Sequence, residues 1–225
     1  MGSNSYKLKT SQKIYCGFKA IMDFLAALFA LGFLILPFII IAIAIKLDSP
    51  GPVFFVQKRV GKSGKLFNCI KFRSMSVEAR PDIATHKFEN AQAYITKVGA
   101  ILRKYSIDEL PQIFNILTLK MSWIGFRPAQ ANETELNQAR EGYDMYQICP
   151  GISGWAQVNG RDVLAAKPKK KAEYDAYYLQ NISLWLDIKI LFMTIGKVFK
   201  GDDVVEGAVT ESTAETEESD EAKNE

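Results

Sequence analysis

The 225-residue chain has few of the side chains from which metal centres and disulfide frameworks are built. It contains a single histidine, which excludes catalytic schemes that need two, such as a histidine-rich metal centre. Its three cysteines (Cys16, Cys69 and Cys149) are an odd number and form no C-x-x-C pair. A disulfide framework and a structural zinc site are therefore excluded, and free thiols fit a reducing compartment.

Signatures of nucleotide-binding loops and of nucleic-acid-binding folds are also absent from the sequence. No glycine spacing fits a P-loop or a dinucleotide-binding fingerprint. No nucleic-acid fold motif is visible either, so nucleic acid is not expected as a partner. His86 lies in a polar stretch without a companion ligand, and no role follows for it. An apolar content of 48% excludes a chain that is disordered throughout.

Charge is unevenly distributed along the chain. There are 28 basic and 25 acidic side chains, but residues 201–225 hold ten of the acids and one base. That segment has no hydrophobic periodicity and no aromatic residue, which predicts a disordered acidic tail. The preceding 200 residues carry 27 bases and 15 acids. A basic body of this kind indicates an anionic partner: a phosphate ligand, a membrane surface or nucleic acid.

One long apolar run stands near the N-terminus. Residues 24–45 are 22 residues without a charge, and a straight helix of roughly 33 Å crosses a hydrocarbon core of about 30 Å. Pro37 removes a backbone hydrogen bond inside the run, and lysines on both sides favour the cytoplasm at both ends. The pattern predicts a re-entrant helix-break-helix over residues 21–47, broken at Pro37, with a kinked full span as the alternative.

After the membrane segment, short elements of both kinds are predicted. A turn-rich cluster ends the apolar helix at residues 48–52, and β-prone runs at 53–57 and 65–72 flank a glycine-containing turn, which indicates a β-hairpin. Residues 97–119 are predicted to form helices that are interrupted near 106–111. The apolar but charged stretch 184–199 predicts an interfacial amphipathic helix, with a packed core helix as the alternative.

These elements predict a mainly helical α+β protein. A small catalytic body would contain the β-hairpin and interfacial amphipathic helices, next to the re-entrant membrane helix. The predicted organisation is a basic N-terminal segment at 1–20, the membrane helix at 21–47, a cytoplasmic catalytic domain at 48–200 and the acidic tail at 201–225.

Two adjacent carboxylates make the strongest candidate for chemistry. Asp108 and Glu109 lie between a basic pair at 103–104 and Pro111. One interpretation is structural, because Ser106 with Glu109 three residues later has the spacing of a capping box. The other is catalytic: an exposed carboxylate near cations stays ionised and attacks phosphorus, while its neighbour holds a divalent cation.

Basic residues at three other places are candidates for phosphate binding. Arg127 and Pro128 stand in a glycine-containing turn, where the guanidinium suits a phosphate or a uracil edge. Lys71 and Arg73, two residues apart on a strand, face one side and could clamp a diphosphate. Arg161 follows a glycine-containing stretch and could meet a phosphate. The structural alternatives are a surface turn and a solvated basic edge.

Six stretches taken together give a resemblance. The chain resembles the bacterial sugar transferase family, the monotopic polyprenyl-phosphate phosphoglycosyl transferases. The matching stretches stand in the same order as in the family: KLDSPGPVFFVQKRVG, NCIKFRSM, LRKYSIDELPQIFN, MSWIGFRPA, PGISGWAQVNGRD and EYDAYYLQNISLWLDIKI. The resemblance covers roughly residues 20–200. With one long apolar run, the chain is similar to the family's small members.

The resemblance implies an activity, substrates and a location. Members transfer a sugar 1-phosphate from a UDP-sugar to polyprenyl (undecaprenyl) phosphate with the help of magnesium (Mg2+), through a covalent phosphosugar on an aspartate. They act at the cytoplasmic face of the inner membrane, where downstream glycosyltransferases are expected partners. By motif, Asp108 is the nucleophile and Glu109 the magnesium ligand. Lys71 and Arg103 match basic residues around the phosphates.

The nucleotide site and the membrane break depart from the common pattern. Arg127 and Pro128 correspond to a uridine-contacting Arg-Pro pair, but Phe126 stands where many members have proline. Leu36 stands before Pro37 where some members have serine. The donor sugar is not legible, and an N-acetylated hexosamine is the expectation that the resemblance favours.

Two other functions are compatible with the same residues. A membrane-anchored scaffold would use the basic body to bind anionic lipid or a partner protein. A metal-dependent UDP-sugar hydrolase would release UMP without a lipid acceptor.

Overall fold

The computed structural model describes residues 6–79, 91–160, 164 and 167–200. Its architecture is mainly helical α+β, as predicted. The helices are α1 (Thr10–Asp48), α2 (Lys97–Lys104), α3 (Ile113–Leu117), α4 (Thr134–Gly142), α5 (Trp155–Val158), α6 (Pro168–Gln180) and α7 (Leu184–Lys200). The strands are β1 (Phe54–Val60), β2 (Leu66–Phe72), β3 (Ser122–Ile124) and β4 (Gly151–Ser153).

Helix α1 contains the apolar run and continues through Pro37 without an interruption of its helical backbone. By length and composition it could cross a membrane. It begins at Thr10, well before the predicted membrane segment, because its first turns pack against the body: the Gln12 side chain donates to the carbonyl of Gln180 at 2.9 Å. The re-entrant turn at Pro37 stays a prediction.

One stripe of α1 packs on the body, while the opposite face is exposed and apolar. Ala27, Phe38 and Ile45 lie on the buried stripe at helical spacing, and they join a core that includes Phe72 and Ile113. The exposed apolar side chains include Phe18, Leu25, Phe29, Phe33, Leu36, Ile40 and Ile43. An apolar surface of this length on one helix is typical of contact with lipid.

Buried polar side chains attach the N-terminal half of α1 to the body. Lys19 Nζ lies 2.8 Å from an Asp187 carboxylate oxygen, and Tyr15 donates its hydroxyl hydrogen to the same carboxylate at 2.6 Å. One turn further on, Asp23 accepts a hydrogen bond from Ser122 of β3 at 2.6 Å. We refer to these five residues as the proximal anchor.

Arg73 attaches the other end of α1. Its guanidinium donates to the carbonyls of Ser49 and Pro50 at 2.7 and 2.6 Å, and to Ile45 at 3.4 Å. Carbonyls at a helix C-terminus have no partner within the helix, so a buried arginine satisfies them. The predicted diphosphate clamp of Lys71 and Arg73 is therefore wrong: β2 ends at Phe72, and Arg73 turns towards α1.

The predicted β-hairpin is confirmed. Strands β1 and β2 pair antiparallel, with Phe54 opposite Phe72 and Val60 opposite Leu66. Their connection uses left-handed backbone at Ser63 (φ 58°) and Gly64 (φ 70°). A second, parallel pair of β3 and β4 was not predicted, because strands of three residues show no periodicity.

The sequence left two alternatives for α7, an interfacial amphipathic helix and a packed core helix, and the structure shows features of both. Leu186 and Ile190 are 8% and 0% exposed and belong to a core shared with α6 and β3. On the opposite side, Trp185 and Phe192 are exposed. Helix α7 is thus packed along one face and presents an apolar face outward.

An ion pair lies fully inside the body. Arg140 of α4 and Asp175 of α6 are 0% and 1% exposed, and two guanidinium nitrogens of Arg140 donate to one Asp175 oxygen at 2.6 and 3.0 Å. The guanidinium also lies 5.0 Å from the centre of the Phe126 ring. The pair therefore joins two helices to the turn that carries Arg127.

We predict that Arg140→Met lowers the free energy of unfolding by about 3–5 kcal/mol, because it leaves Asp175 buried without a counter-charge. Denaturant unfolding of the detergent-solubilised protein, followed by tryptophan fluorescence, measures the change. The double variant Arg140→Met/Asp175→Leu should recover most of the loss, since it removes both charges. A double variant as unstable as the single one would contradict this explanation.

Candidate functional site

The adjacent carboxylates lie on a short 3-10 helix, Ile107–Gln112, that follows α2. Ser106 precedes it with left-handed backbone (φ 54°), and its side chain caps no backbone amide. The capping-box interpretation is therefore wrong. The turn is fixed instead by backbone, since the Glu109 amide donates to the Ser106 carbonyl at 3.2 Å.

Glu109 is the centre of a charged cluster drawn from three parts of the chain. Lys71, at the end of β2, donates to one carboxylate oxygen at 2.7 Å. Arg127, which follows β3, donates to both oxygens, at 3.0 Å for one of the two bonds. This bidentate pairing is geometry that lysine cannot supply.

The cluster fixes the charge on Arg127. Burial by itself lowers the pKa of an arginine, but the charge of Glu109 and its hydrogen bonds outweigh burial and leave the pKa of Arg127 above its ordinary value. Arg127 is therefore a permanent cation within the cluster.

Asp108 is buried, so the prediction of an exposed carboxylate is wrong. It is 8% exposed, since the 3-10 helix packs against β2 and α2. Burial raises the pKa of the Asp108 carboxyl, and the positive charge of Lys71 opposes that rise. A carboxylate moved out of water by its surroundings, with cations close enough to keep it ionisable, is typical of reactive groups.

Arg103 reaches the same region from the last turn of α2. Its guanidinium donates to the Ser74 hydroxyl at 3.0 Å and contacts Met75. Its positive charge, like that of Lys71, lowers the pKa of Asp108, although burial dominates. Lys71, Arg103 and Arg127 thus lie around the two carboxylates, and the substrate contacts that the resemblance gives them stay predictions.

The turn that carries Arg127 and Pro128 is built on close backbone packing. A side chain at Gly125 would meet the backbone of Cys149 and Gly151 at 2.7 Å, so glycine is required there. Pro128 is buried, and its carbonyl accepts a hydrogen bond from Arg59 of β1 at 3.1 Å.

Phe126 and Arg161 complete the comparison with the sequence predictions. Phe126 is 1% exposed, so the residue that departs from the common Gly-Pro-Arg-Pro pattern faces the core. Arg161 lies outside the described residues, and its assignment stays a prediction.

The Glu109 carboxylate fits a magnesium ion that would be shared with substrate phosphates. Mg2+ in nucleotide sites is held by one or two carboxylates, water and phosphate oxygens. Glu109 supplies one such carboxylate. Within residues 6–79, 91–160, 164 and 167–200 no group of three or more His, Cys, Asp or Glu side chains could hold a metal by itself. Glu109 remains a candidate ligand only together with a phosphate-bearing substrate.

Sequence reasoning missed the residues that hold the site in place. The charges of the proximal anchor and of the Arg140–Asp175 pair were given no role in the sequence analysis, and Arg73 was assigned to a diphosphate. An acid such as Asp187 inside an apolar stretch was the available signal, because a charge there needs a buried partner.

The fold and this cluster define the class: a protein with a membrane-length apolar helix and a basic, carboxylate-containing site suited to phosphate chemistry. The family model for bacterial sugar transferases matches residues 14–201. The chain belongs to that family.

Curated relatives include both long and short proteins. A UDP-N-acetylgalactosamine-undecaprenyl-phosphate N-acetylgalactosaminephosphotransferase of Aeromonas hydrophila is 42% identical over 191 residues, 84% of this chain and 45% of the relative. A UDP-glucose:undecaprenyl-phosphate glucose-1-phosphate transferase of Escherichia coli (strain K12) is 46% identical over 165 residues, 71% of this chain and 35% of the relative. The chain thus spans less than half the length of these two.

A short relative is similar over nearly its full length. The uncharacterized sugar transferase EpsL of Bacillus subtilis (strain 168) is 39% identical over 191 residues, 83% of this chain and 89% of the relative. The alignment with this relative therefore covers most of both chains.

We predict that the Asp108 carboxyl titrates above the ordinary value of about 3.9, because burial disfavours its charge. Carbon NMR of protein labelled at aspartate Cγ, with Asp108→Asn to identify the signal, measures the pKa. Lys71→Met should raise it further, since Lys71 lowers it.

The raised pKa of Asp108 also makes the stability of the folded protein depend on pH. The folded state holds this proton more tightly than the unfolded state, so the contribution favours folding at low pH and is lost as pH rises through the raised pKa. Titration at or below the ordinary value would contradict the burial of Asp108.

Proposed function

We propose that the protein transfers a sugar 1-phosphate from a UDP-sugar to polyprenyl phosphate, releasing UMP. The observation that carries this proposal is the buried Asp108 beside Glu109, surrounded by Lys71, Arg103 and Arg127 on a body joined to an apolar helix. The names of the Aeromonas and Escherichia relatives, both undecaprenyl-phosphate sugar phosphotransferases, support it.

The first step is a displacement at phosphorus. An Asp108 carboxylate oxygen forms a bond to the β-phosphorus of the donor, the bond from that phosphorus to the bridging oxygen breaks, and UMP leaves with the electron pair. The product is an acyl phosphate in which the sugar 1-phosphate is bonded to the Asp108 carboxylate. The raised pKa of Asp108 supports this role, because the more basic carboxylate is the better nucleophile.

The second step regenerates the carboxylate. A phosphate oxygen of the lipid attacks the same phosphorus, the aspartyl–phosphorus bond breaks, and a lipid diphosphate sugar forms. Two displacements let one carboxylate serve a soluble donor and a lipid acceptor in turn.

Glu109 holds the cations in place before the donor arrives. Lys71 and Arg127 both donate to it, so one cation is held ready for the diphosphate (Lys71) and one for the uridine end of the donor (Arg127). When the donor accepts those hydrogen bonds, the Glu109 carboxylate would become available as a magnesium ligand. Bound magnesium would supply further charge neutralisation at the phosphates. Cations already gathered at the site need only a small rearrangement to stabilise developing charge.

Arg127 and Pro128 are assigned to the uridine end of the donor, and Arg161 to a phosphate. The proposal does not fix which hexose the UDP-sugar carries. The relatives are named for N-acetylgalactosamine and for glucose, and an N-acetylated hexosamine remains our first donor. We place the protein at the cytoplasmic face of the inner membrane, ahead of downstream glycosyltransferases.

Asp108→Asn should abolish UMP release, a loss on the order of 10⁴-fold or more. The assay supplies undecaprenyl phosphate and Mg2+ with UDP-GalNAc, UDP-GlcNAc, UDP-glucose or UDP-galactose in separate reactions. Intact-protein mass spectrometry without lipid should show one sugar phosphate added to the wild type. Asp144→Asn is the matched control, because it makes the same chemical change in the body and should retain activity.

The outcomes separate the three candidate functions. Full activity in Asp108→Asn would overturn the assignment of the nucleophile. Repeated UMP release without lipid would indicate the UDP-sugar hydrolase, and no UMP with any donor would indicate the scaffold.

For the membrane helix we propose the re-entrant form, with both ends in the cytoplasm. Cys69 is 3% exposed and thus unsuitable for labelling. Cysteines placed at the exposed positions Lys9 and Lys65 in a cysteine-free background avoid this problem. Both should react with an impermeant maleimide in inside-out vesicles and neither in intact cells. Reaction of one position in intact cells would demonstrate a full span.

A further inference from the structure

A cleft of about 240 Å³ opens beside the 3-10 helix that carries Asp108 and Glu109. It runs from Glu109 and Leu110 past Val158 of α5 to Thr194, Lys197 and Val198 of α7. We call this space, with all the residues that line it, the α7 cleft. One of its ends is therefore the catalytic 3-10 helix, and the other is the helix that exposes an apolar face.

The walls of the α7 cleft are largely apolar. Leu110, Ile152, Val158 and Val198 line it. Of its polar lining, Ser153 and Thr194 satisfy one another through a hydroxyl–hydroxyl contact of 2.6 Å. Ser106, Glu109 and Gln157 also line the cleft, and the apolar walls between these polar side chains suit a hydrocarbon chain.

The apolar lining continues onto the outer face of α7. Leu191, Phe192 and Ile195 are 46%, 69% and 43% exposed, and they lie within two turns of Lys197 on the same helix. A hydrocarbon chain that leaves the cleft can follow this face without crossing a charged surface. The face also suits contact with a bilayer.

Lys197 places a cation inside this apolar cleft. Its ammonium contacts the Gln157 carbonyl at 3.4 Å, a long hydrogen bond that uses one of its three hydrogens. Among the described residues, no carboxylate lies within ion-pair distance of Lys197. A half-buried ammonium with donors to spare is complementary to an anionic group that arrives with an apolar chain.

We infer that the α7 cleft binds the lipid acceptor: Lys197 receives its phosphate beside the catalytic turn, and the first isoprene units lie along the cleft and the outer face of α7. This inference rests on the proposed function and adds the residues that the acceptor uses. The donor is assigned to Lys71 and Arg127, so the two proposed binding regions meet at Glu109, the neighbour of Asp108.

Lys197→Met tests the inference because it keeps the apolar stem and removes the charge. Two quantities are measured for each variant in lipid nanodiscs. One is the amplitude and rate of UMP release in a single turnover without lipid acceptor, which reports the donor step. The other is the dissociation constant for undecaprenyl phosphate, obtained by native mass spectrometry of the full chain.

Lys197→Met should retain a donor step within about twofold of the wild type and bind undecaprenyl phosphate about tenfold more weakly, the scale of one charge-assisted hydrogen bond. Lys197→Arg should restore most of the lipid affinity. Lys189→Met is the matched control: Lys189 is also on α7, but its ammonium lies 5.1 Å from the Trp155 ring centre, outside the cleft lining. It should change neither quantity.

Each other outcome decides something different. Unchanged lipid affinity in Lys197→Met, with UMP release intact, overturns the α7 cleft and leaves the proposed function standing. If the wild type releases no UMP but binds undecaprenyl phosphate more tightly than Lys197→Met does, the proposed chemistry is wrong and the lipid site stands. A wild type that does not bind undecaprenyl phosphate overturns both.

Discussion

The attachment of a long apolar helix to a charged body is the constraint on which the rest of this structure depends. Apolar packing alone would let α1 slide or rotate, because one hydrophobic stripe resembles the next. The proximal anchor (Lys19, Asp187, Tyr15, Asp23 and Ser122) and Arg73 prevent this at the two ends. Buried charges of this kind contribute little net stability, but a shift of register leaves them unpaired, which is costly.

The same attachments determine where the cations of the site lie. Arg73, which satisfies the end of α1, stands two residues after Lys71 on the same stretch of chain. Ser122, which bonds Asp23 of α1, belongs to the strand that leads directly to Arg127. Both cations that contact Glu109 are therefore fixed to segments that are fixed to α1. The positions of the charges in the site and the position of the apolar helix α1 on the body therefore depend on each other.

The sequence predicted what depends on local pattern. The hairpin followed from alternating residues around a glycine turn, and the helix interruption followed from Pro111. The resemblance pointed to Asp108, Glu109 and basic residues elsewhere in the chain, and the roles that it gives them stay predictions. Contacts between residues far apart in the sequence could not be predicted. Lys71 and Arg73 looked equivalent, yet Lys71 contacts Glu109 and Arg73 contacts the end of α1. The burial of Asp108 was missed for the same reason, since it depends on what packs over the turn.

The attachment of α1 at both of its ends also affects how the site can bind two different substrates. Glu109 is neutralised by two cations whose positions depend on α1. The same residue also lines the α7 cleft, which is apolar at Leu110 and Val198. In the reaction that we propose, the polar diphosphate of the donor would meet the cations, and it would lose hydration without compensation along the apolar walls. The hydrocarbon chain of a lipid phosphate would have the reverse preference. Because Asp187 of α7 is bound to Lys19 of α1, the cations and the cleft keep a fixed relation to the same apolar helix.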